Sequence, residues 1–144
     1  MAHPSVVSLM FDFLNTASSL EHRLDRALSF RGISFSEYKL LSVLAESSQI
    51  GTPRAELAAR VGLTPSAITR ALKPLEKLGY IDTARNQRDA RQSLAIITSA
   101  GLELQKNAHN VVSDVLRELS ISSATSKQIL DFRSRLTDIR SLKP

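Results

Sequence analysis

Three arginines crowd a short polar segment near the middle of the chain. In "RNQRDARQ", residues 85–92, Arg85, Arg88 and Arg91 surround one acid, Asp89. Guanidinium groups bind phosphates and base edges through paired hydrogen bonds, and they enter the negative potential of a minor groove. Asp89 precedes Arg91 by two residues, so it is placed to hold that guanidinium by a charge-assisted hydrogen bond. The segment predicts a surface for nucleic acid, although alone it is also typical of a solvated turn.

A second basic surface precedes this loop. In "LTPSAITRALKPLEKLGYI", residues 63–81, apolar residues recur at steps of three and four, which predicts a helix with one buried face. The opposite face is polar and basic, and its members are Ser66, Thr69, Arg70, Lys73 and Lys77. Short side chains at the start of such a helix permit close approach to a major groove, and arginine reaches a guanine edge or a phosphate. A solvated basic face is the alternative for one helix in isolation.

Start and stop signals set out two short helices before the loop. Thr52-Pro53 has the order of a cap followed by proline at the first helical position, and it predicts a third helix that ends at Gly62. Thr64-Pro65 repeats this order and predicts a fourth helix that ends at Gly79. Two short helices joined in this way describe a helix-turn-helix.

Short apolar runs flank the arginine loop. Tyr80-Ile81 and residues 94–97, "LAII", are too short for helices and favour two strands of a hairpin. Helix, helix and hairpin is the order of a winged helix. The sequence therefore predicts a mostly α fold, an α+β winged helix with a two-stranded wing.

Longer amphipathic helices lie on both sides of this unit. The first runs from residue 5 to about 31, a second begins with Ser36 as its cap, and Thr98 caps a fifth. A polar break, "SISSATS", precedes a sixth. Apolar stripes at helical spacing mark the first helix (Met10, Phe13, Ala17, Leu20, Leu24, Ala27), the fifth (Leu104, Ala108, Val111, Val115, Leu119) and the sixth (Ile129, Phe132, Leu136, Ile139).

Three such stripes outside a small domain need partners. Packing against the same helices of a second copy supplies them, and an intramolecular bundle is the alternative. We therefore expect a homodimer, with residues 1–34 and 101–144 as dimerisation helices and residues 35–100 as the winged helix.

Composition excludes several classes of function. The formal net charge is +5, which favours polyanionic partners, and the chain has no cysteine, so disulfides and thiolate chemistry are excluded. His3, His22 and His109 are scattered, and no phosphate-cradling glycine loop is present. We expect no catalysis, no metal and no cofactor. The N-terminus lacks the basic region of a signal peptide and no apolar run is long enough to span a bilayer, which favours a cytoplasmic protein without membrane attachment.

Three segments between about residues 36 and 101 carry the motifs of a known family. They read "SEYKLLSVLAE", "AELAARVGLTPSAITRALKPLEKLGYI" and "RDARQSLAIITSAG". The most specific part is Asp89-Ala90-Arg91, followed at the family's spacing by Leu94, Thr98 and Gly101. In these segments the chain resembles the MarR family of bacterial winged helix regulators.

The resemblance implies a homodimer whose fourth helix enters the major groove and whose wing arginine reaches the minor groove of duplex DNA. Arg91 matches that wing arginine and Asp89 its orienting acid, while Arg85 and Arg88 fall on the flanks of the wing as phosphate contacts. Many relatives have a basic residue where Ala90 stands, so fewer groove contacts are expected. The matching recognition-helix positions are Ser66, Ala67, Thr69, Arg70 and Lys73.

Family behaviour also implies an effector. Members often leave DNA when a small aromatic compound binds between the dimer helices and the winged helix, and the mechanism based on cysteine oxidation is excluded here. Ordinary core aromatics are the alternative for the candidate pocket residues, Phe11, Phe13, Phe30, Phe35 and Tyr38. The predicted function is a sequence-specific DNA-binding regulator, by default a repressor at a pseudo-palindromic operator; a winged helix that binds another protein is the alternative.

Overall fold

The computed structural model describes residues 5–47, 50–89, 91–119 and 126–141. Within them the chain is mostly helical, with one small antiparallel sheet, and the predicted class is confirmed. The elements are α1 (Val6–Ser29), α2 (Phe35–Glu46), β1 (Thr52–Pro53), α3 (Arg54–Val61), α4 (Pro65–Lys77), β2 (Ile81–Arg85), β3 (Ser93–Ile97), α5 (Ser99–Glu118) and α6 (Ser126–Ser141).

The start of α4 follows its sequence signal. The Thr64 hydroxyl accepts a hydrogen bond from the backbone N–H of Ala67 at 3.2 Å, and Pro65 occupies the first helical position, where no N–H is needed. The helix ends before Gly79, whose φ of 77° is in the left-handed region that glycine adopts without strain. The predicted cap and stop are confirmed.

The cap of α2 is Ser34, and the prediction that Ser36 caps this helix is wrong. Ser34 Oγ accepts from the backbone N–H of Glu37 at 3.1 Å, and the Glu37 carboxylate accepts from the backbone N–H of Ser34 at 2.8 Å. This reciprocal pair satisfies two free donors at once, which a single serine at position 36 does not.

Thr52-Pro53 is a strand rather than a helix start. These two residues form β1, which pairs antiparallel with β3 through Thr52↔Ala95 and Pro53↔Leu94. Pro53 is the N-cap of α3 and makes no side-chain capping bond, so the predicted cap at Thr52 is wrong. The Thr52 side chain is 2% exposed, and its hydroxyl has no hydrogen-bond partner among the residues that the structure describes. The predicted two-stranded wing therefore continues into a third strand, in the order β1-β3-β2.

The core of the winged helix is made by the inward stripes of its helices and by the sheet. Its largest fully buried side chains include Leu28 of α1, Leu40 and Leu41 of α2, Leu57 of α3 and Ile68 of α4. They are joined from the sheet by the equally buried Ile81. Burying such a side chain contributes about 1.5–3 kcal/mol, so this core fixes the rotation of α4 about its own axis.

The first turn of α5 is tied to the segment between α4 and β2. Thr98 Oγ1 donates to the Gly79 carbonyl at 2.7 Å and accepts from the backbone N–H of Gly101 at 3.1 Å, which confirms Thr98 as a cap. The Thr98 N–H donates to the Tyr80 carbonyl at 3.1 Å. A Cβ atom on Gly101 would overlap that same Tyr80 oxygen, so only glycine permits this approach.

The chain divides into two compact units, Met1–Val112 and Ser113–Pro144. In the second unit, Arg117 donates to the Asp114 carboxylate at 2.7 Å, and α6 is present as predicted. Two predictions lie outside what the structure describes: the polar break at residues 120–125 and the side chains of the sixth stripe, Ile129, Phe132, Leu136 and Ile139. The division into residues 1–34, 35–100 and 101–144 stays a prediction, because it concerns assembly with a second copy.

The N-terminal half of α1 carries an exposed apolar surface. Ser5 caps the helix through the backbone N–H of Ser8, and Leu24 and Leu28 are buried near its C-terminal end. Large apolar side chains of the first three turns are exposed instead, with Val6 at 81%. The others are Val7, Leu9, Met10, Phe11, Phe13 and Leu14.

Candidate nucleic-acid interface

The polar face of α4 is held outward by the burial of its opposite face. Ile68, Leu72 and Leu75 are at most 2% exposed. At the predicted recognition positions, Ser66, Arg70 and Lys73 are exposed, and Ala67 and Thr69 are partly exposed; Lys77 is exposed at the end of the helix. Because the two faces are opposite sides of one rigid helix, burial of the stripe presents these side chains together.

The hydroxyl groups at the start of α4 are already hydrogen-bonded. Thr64 Oγ1 lies 3.1 Å from Ser66 Oγ, and Thr69 Oγ1 donates to the Pro65 carbonyl at 3.1 Å. These bonds fix the side chains in the first turns of the helix. With its proton committed to the backbone, the Thr69 oxygen is available to accept from a donor.

Arg54 supplies that donor, and the sequence analysis did not identify this residue. Arg54 is the first residue of α3, and its Nη1 donates to Thr69 Oγ1 at 3.4 Å. This bond brings an arginine of α3 next to a predicted recognition position of α4. A cation in the first turn is unusual, because the positive end of the helix dipole favours acids there. That mismatch was the one available signal in the sequence.

The wing places its arginines at the exposed end of the β2–β3 hairpin. Arg85 pairs with Ser93 at the last rung of the ladder, and Arg85, Arg88 and Arg91 are all exposed. The Asn86 N–H donates to the Gln92 carbonyl at 3.0 Å, and the Gln92 N–H donates to the Asp89 carbonyl at 3.0 Å. These bonds close the tip over residues 86–92. Ala90, the predicted departure from the family pattern, lies outside the described residues.

Asp89 holds the backbone of Arg91 rather than its guanidinium. Its Oδ1 accepts from the Arg91 backbone N–H at 3.0 Å. The predicted charge-assisted bond to the side chain is therefore wrong for this structure, since the carboxylate closes a local turn with the main chain two residues on. Asp89 sets where the Arg91 side chain leaves the wing and leaves its direction open.

The candidate effector residues are only partly brought together. The rings of Phe35 and Tyr38 stack at 6.1 Å, and Lys39 lies over the Phe35 ring at 5.0 Å. Phe11 and Phe30 are 61% and 88% exposed, so neither is a core aromatic of this chain, and Phe13 is 40% exposed.

An open groove of about 240 Å³ lies beside Phe35 and Lys39, between α1 and α2. Glu21, His22, Asp25 and Ser36 complete its lining. On the other side of the stacked pair, the Tyr38 hydroxyl lies 2.9 Å from His109 Nδ1 on α5. The groove is therefore lined mainly by polar and charged groups, with one aromatic face.

Among the described residues, no three side chains of His, Asp or Glu form a group that would hold a metal ion. None of the described helices is long and apolar enough to cross a membrane.

The fold and the basic surfaces define a winged helix-turn-helix protein, and comparison with known proteins gives the family. A MarR family model matches residues 31–92. An uncharacterized HTH-type transcriptional regulator of Mycobacterium bovis is 34% identical over 113 residues, which cover 75% of this chain and 78% of that protein. The chain belongs to the MarR family of helix-turn-helix transcriptional regulators.

Solved structures have the same fold as this chain. Sco3205, a MarR family regulator of Streptomyces coelicolor solved in complex with DNA, superposes with a TM-score of 0.84 at 26% identity and covers 100% of this chain and 92% of its own. CouR of Rhodococcus jostii, solved with p-coumaroyl-CoA, has a TM-score of 0.82 at 22% identity and covers 94% of each chain. The likeness to CouR is one of fold.

Proposed function

We propose that this protein binds duplex DNA as a homodimer and regulates transcription by occupying its operator. The observation that carries the proposal is the outward face of α4, where Ser66, Arg70 and Lys73 stand exposed above a fully buried stripe. The DNA complex of Sco3205, which has the same fold over the whole chain, supports it. In this proposal Ser66, Ala67, Thr69 and Arg70 approach base edges in the major groove, and Lys73 binds phosphate.

The wing supplies the second contact. Arg91 enters the minor groove from a position set by Asp89, while Arg85 and Arg88 bind phosphates on either side. The exposure of all three arginines at the hairpin end supports this arrangement. Each phosphate neutralised releases counterions, so affinity should fall steeply as salt rises.

Arg54 adds a contact from outside the recognition helix and the wing. Its hydrogen bond to Thr69 orients the guanidinium along the surface of α4, where a phosphate beside the bases read by Thr69 would replace a weak 3.4 Å contact with a strong one. Arg54→Gln should weaken binding to all duplexes by a similar factor, as loss of a backbone contact does. A change in sequence preference instead would assign Arg54 to base reading through Thr69.

Dimerisation is proposed to use residues 1–34 and 101–144. The apolar surface on the first three turns of α1, exposed in the single chain, supports a second copy as its cover. Leu9→Glu should therefore shift the protein toward monomer in sedimentation, whereas Ser19→Glu, at an exposed polar position on the other side of the same helix, should leave the dimer intact.

The geometry of a homodimer constrains the operator. Two α4 helices related by twofold symmetry require a pseudo-palindrome whose half-sites lie about one helical turn, or 10 bp, apart. A dimer across a promoter excludes polymerase, so we propose repression in the cytoplasm. This role needs binding alone, and we assign the protein no catalytic step.

An effector is proposed at the groove beside Phe35, with Tyr38 behind it. The Phe35 ring offers a stacking face that suits a small aromatic compound. Lys39 lies over that ring and pairs with Glu21 at 3.4 Å, so a carboxylate on the ligand would bind Lys39 by replacing Glu21. p-Coumaroyl-CoA, bound in the related fold of CouR, makes p-coumarate and its thioester the first probes. Release of operator DNA by either compound, abolished in Phe35→Ala, is the expected result.

Charge reversal on α4 and the wing tests the central proposal. Arg70→Glu with Arg91→Glu should lower operator affinity at least about 100-fold, because two phosphate or base contacts become repulsive. The matched control is Arg31→Glu with Lys106→Glu, which makes the same change in net charge at exposed residues outside both DNA-facing surfaces. Because both residues lie in the proposed dimerisation segments, sedimentation first establishes that this control is still a dimer. Fluorescence anisotropy at near-physiological salt measures both, on operators selected from a random duplex pool.

A winged helix that binds another protein remains the competing function. It is favoured if the random pool yields no enriched motif, or if the double charge reversal binds duplex as tightly as the control while remaining folded and dimeric. Either result would contradict the DNA-binding proposal.

A further inference from the structure

The wing tip contains the same local structure twice in succession. Asn86 Oδ1 accepts from the backbone N–H of Arg88 at 3.0 Å, and Asp89 Oδ1 accepts from the backbone N–H of Arg91 at 3.0 Å. In each case the side chain of an Asn or Asp closes a turn on the arginine two residues later. The sequence shows the repeat as Asn-x-Arg-Asp-x-Arg over residues 86–91.

Asn86 is fixed more firmly than Asp89 is. Its N–H donates to the Gln92 carbonyl at 3.0 Å, and its Nδ2 donates to Gln92 Oε1 at 3.2 Å. The first bond holds the Asn86 backbone and the second holds its side chain to Gln92, the residue before β3, while its Oδ1 accepts from Arg88. The point at which the Arg88 side chain leaves the wing is therefore tied to the β2–β3 ladder.

We infer that Asn86 is a positioning residue for Arg88, equivalent to Asp89 for Arg91, so that the wing presents two arginines to DNA from fixed backbone positions. The inference rests on the proposed DNA binding and deepens it: Arg88 becomes a held contact of the same rank as Arg91. Because Asn86 is neutral, it fixes the backbone of Arg88 without placing a negative charge beside the DNA. Fixing the backbone of an arginine before binding reduces the conformational entropy that is lost when its side chain binds DNA.

The first measurement follows the turn itself, in the free full-length protein. Amide exchange with water, measured by NMR, should rise at Arg88 in Asn86→Ala and should leave Arg91 unchanged; Asp89→Ala should do the reverse. Asn86→Asp keeps the acceptor oxygen and should restore protection at Arg88. Unchanged exchange at Arg88 in Asn86→Ala would overturn the inference.

The second measurement follows DNA affinity through a double-mutant cycle. Asn86→Ala should weaken operator binding about fivefold or more in the wild-type background, and should have no further effect in Arg88→Ala, because a positioning residue acts only through its arginine. Gln92→Ala is the matched control: it removes the same Asn86–Gln92 side-chain bond while leaving the acceptor for Arg88, and it should bind within about twofold of wild type.

The outcomes separate the two proposals. An equal effect of Asn86→Ala in both backgrounds, or an equal loss in Gln92→Ala, assigns Asn86 to the shape of the wing and overturns the inference. If the wild-type protein binds no selected duplex, the proposed function fails, and the exchange data then decide by themselves whether Asn86 holds Arg88.

Discussion

The recognition helix and the wing present cationic side chains by opposite means. On α4 the outward face exists because Ile68, Leu72 and Leu75 are locked into the core on the other side. At the wing tip the arginines are exposed, and hydrogen bonds from the backbone N–H groups of Arg88 and Arg91 to the side-chain oxygens of Asn86 and Asp89 set their positions.

Because the two regions are positioned differently, mutations in them should affect DNA binding and protein stability to different extents. A residue that positions α4 is part of the global fold, so changing it is felt by the whole winged helix. A residue that positions the wing tip acts over two residues and leaves the core untouched. Mutations in the two regions should therefore divide into those that unfold the protein and those that only weaken DNA binding.

The largest effect is expected at the base of α4. Ile68→Ala should lower the free energy of unfolding by about 3 kcal/mol, because a fully buried side chain is replaced by a cavity. Urea denaturation followed by circular dichroism measures the loss. A change below about 1 kcal/mol would show that α4 is positioned by something other than this core.

A smaller loss is expected at the cap of the same helix. Thr64→Ala removes the acceptor for the Ala67 N–H and should destabilise by about 1 kcal/mol. Ser36→Ala, at a serine that does not cap α2, should change stability by less than about 0.5 kcal/mol. Equal losses in the two variants would argue against the observed assignment of caps.

At Thr52 the expected effect has the opposite sign. Within the described part of the chain its buried hydroxyl has no hydrogen-bond partner, so Thr52→Val should raise the free energy of unfolding by about 1 kcal/mol in the same urea experiment. If Thr52 capped α3, as the sequence predicts, the variant would be destabilised instead. The sign alone therefore distinguishes strand from cap.

The smallest effect on stability is expected at the wing. Asp89→Ala should change the free energy of unfolding by less than about 0.5 kcal/mol, since the residue contacts only the local turn. Its operator affinity should nevertheless fall about fivefold, because the backbone of Arg91 is no longer fixed by the turn. A large loss of stability would place the wing tip within the cooperative fold and erase the contrast with α4.

Two Thr-Pro pairs show how far sequence reasoning reaches. Thr64-Pro65 obeys the helix-start rule because its capping partner, Ala67, lies three residues away. Thr52-Pro53 has the same letters and becomes a strand, because it pairs with Leu94 and Ala95, more than 40 residues on. Local signals predict structure whose hydrogen bonds are local, and fail where a distant strand supplies them.

The same limit applies to the interface. Helical spacing was enough to predict which residues of α4 face outward, because burial of one stripe dictates the other. Arg54 and Asn86 were missed because their roles depend on particular bonds, to Thr69 and to the Arg88 backbone. Asp89 was identified for its charge, whereas the structure uses its oxygen as a main-chain acceptor.

The close contact at Gly101 couples α5 rigidly to the segment that follows α4. The first turn of α5 contacts the Tyr80 carbonyl directly at Gly101, which has no side chain. The Thr98 hydroxyl also donates a hydrogen bond to the Gly79 carbonyl, which holds the two segments together. Side chains absorb small displacements by changing rotamer, whereas backbone pressed on backbone passes them on. The beginning of α5 and the end of α4 are therefore rigidly coupled, so that a rotation of one is transmitted to the other.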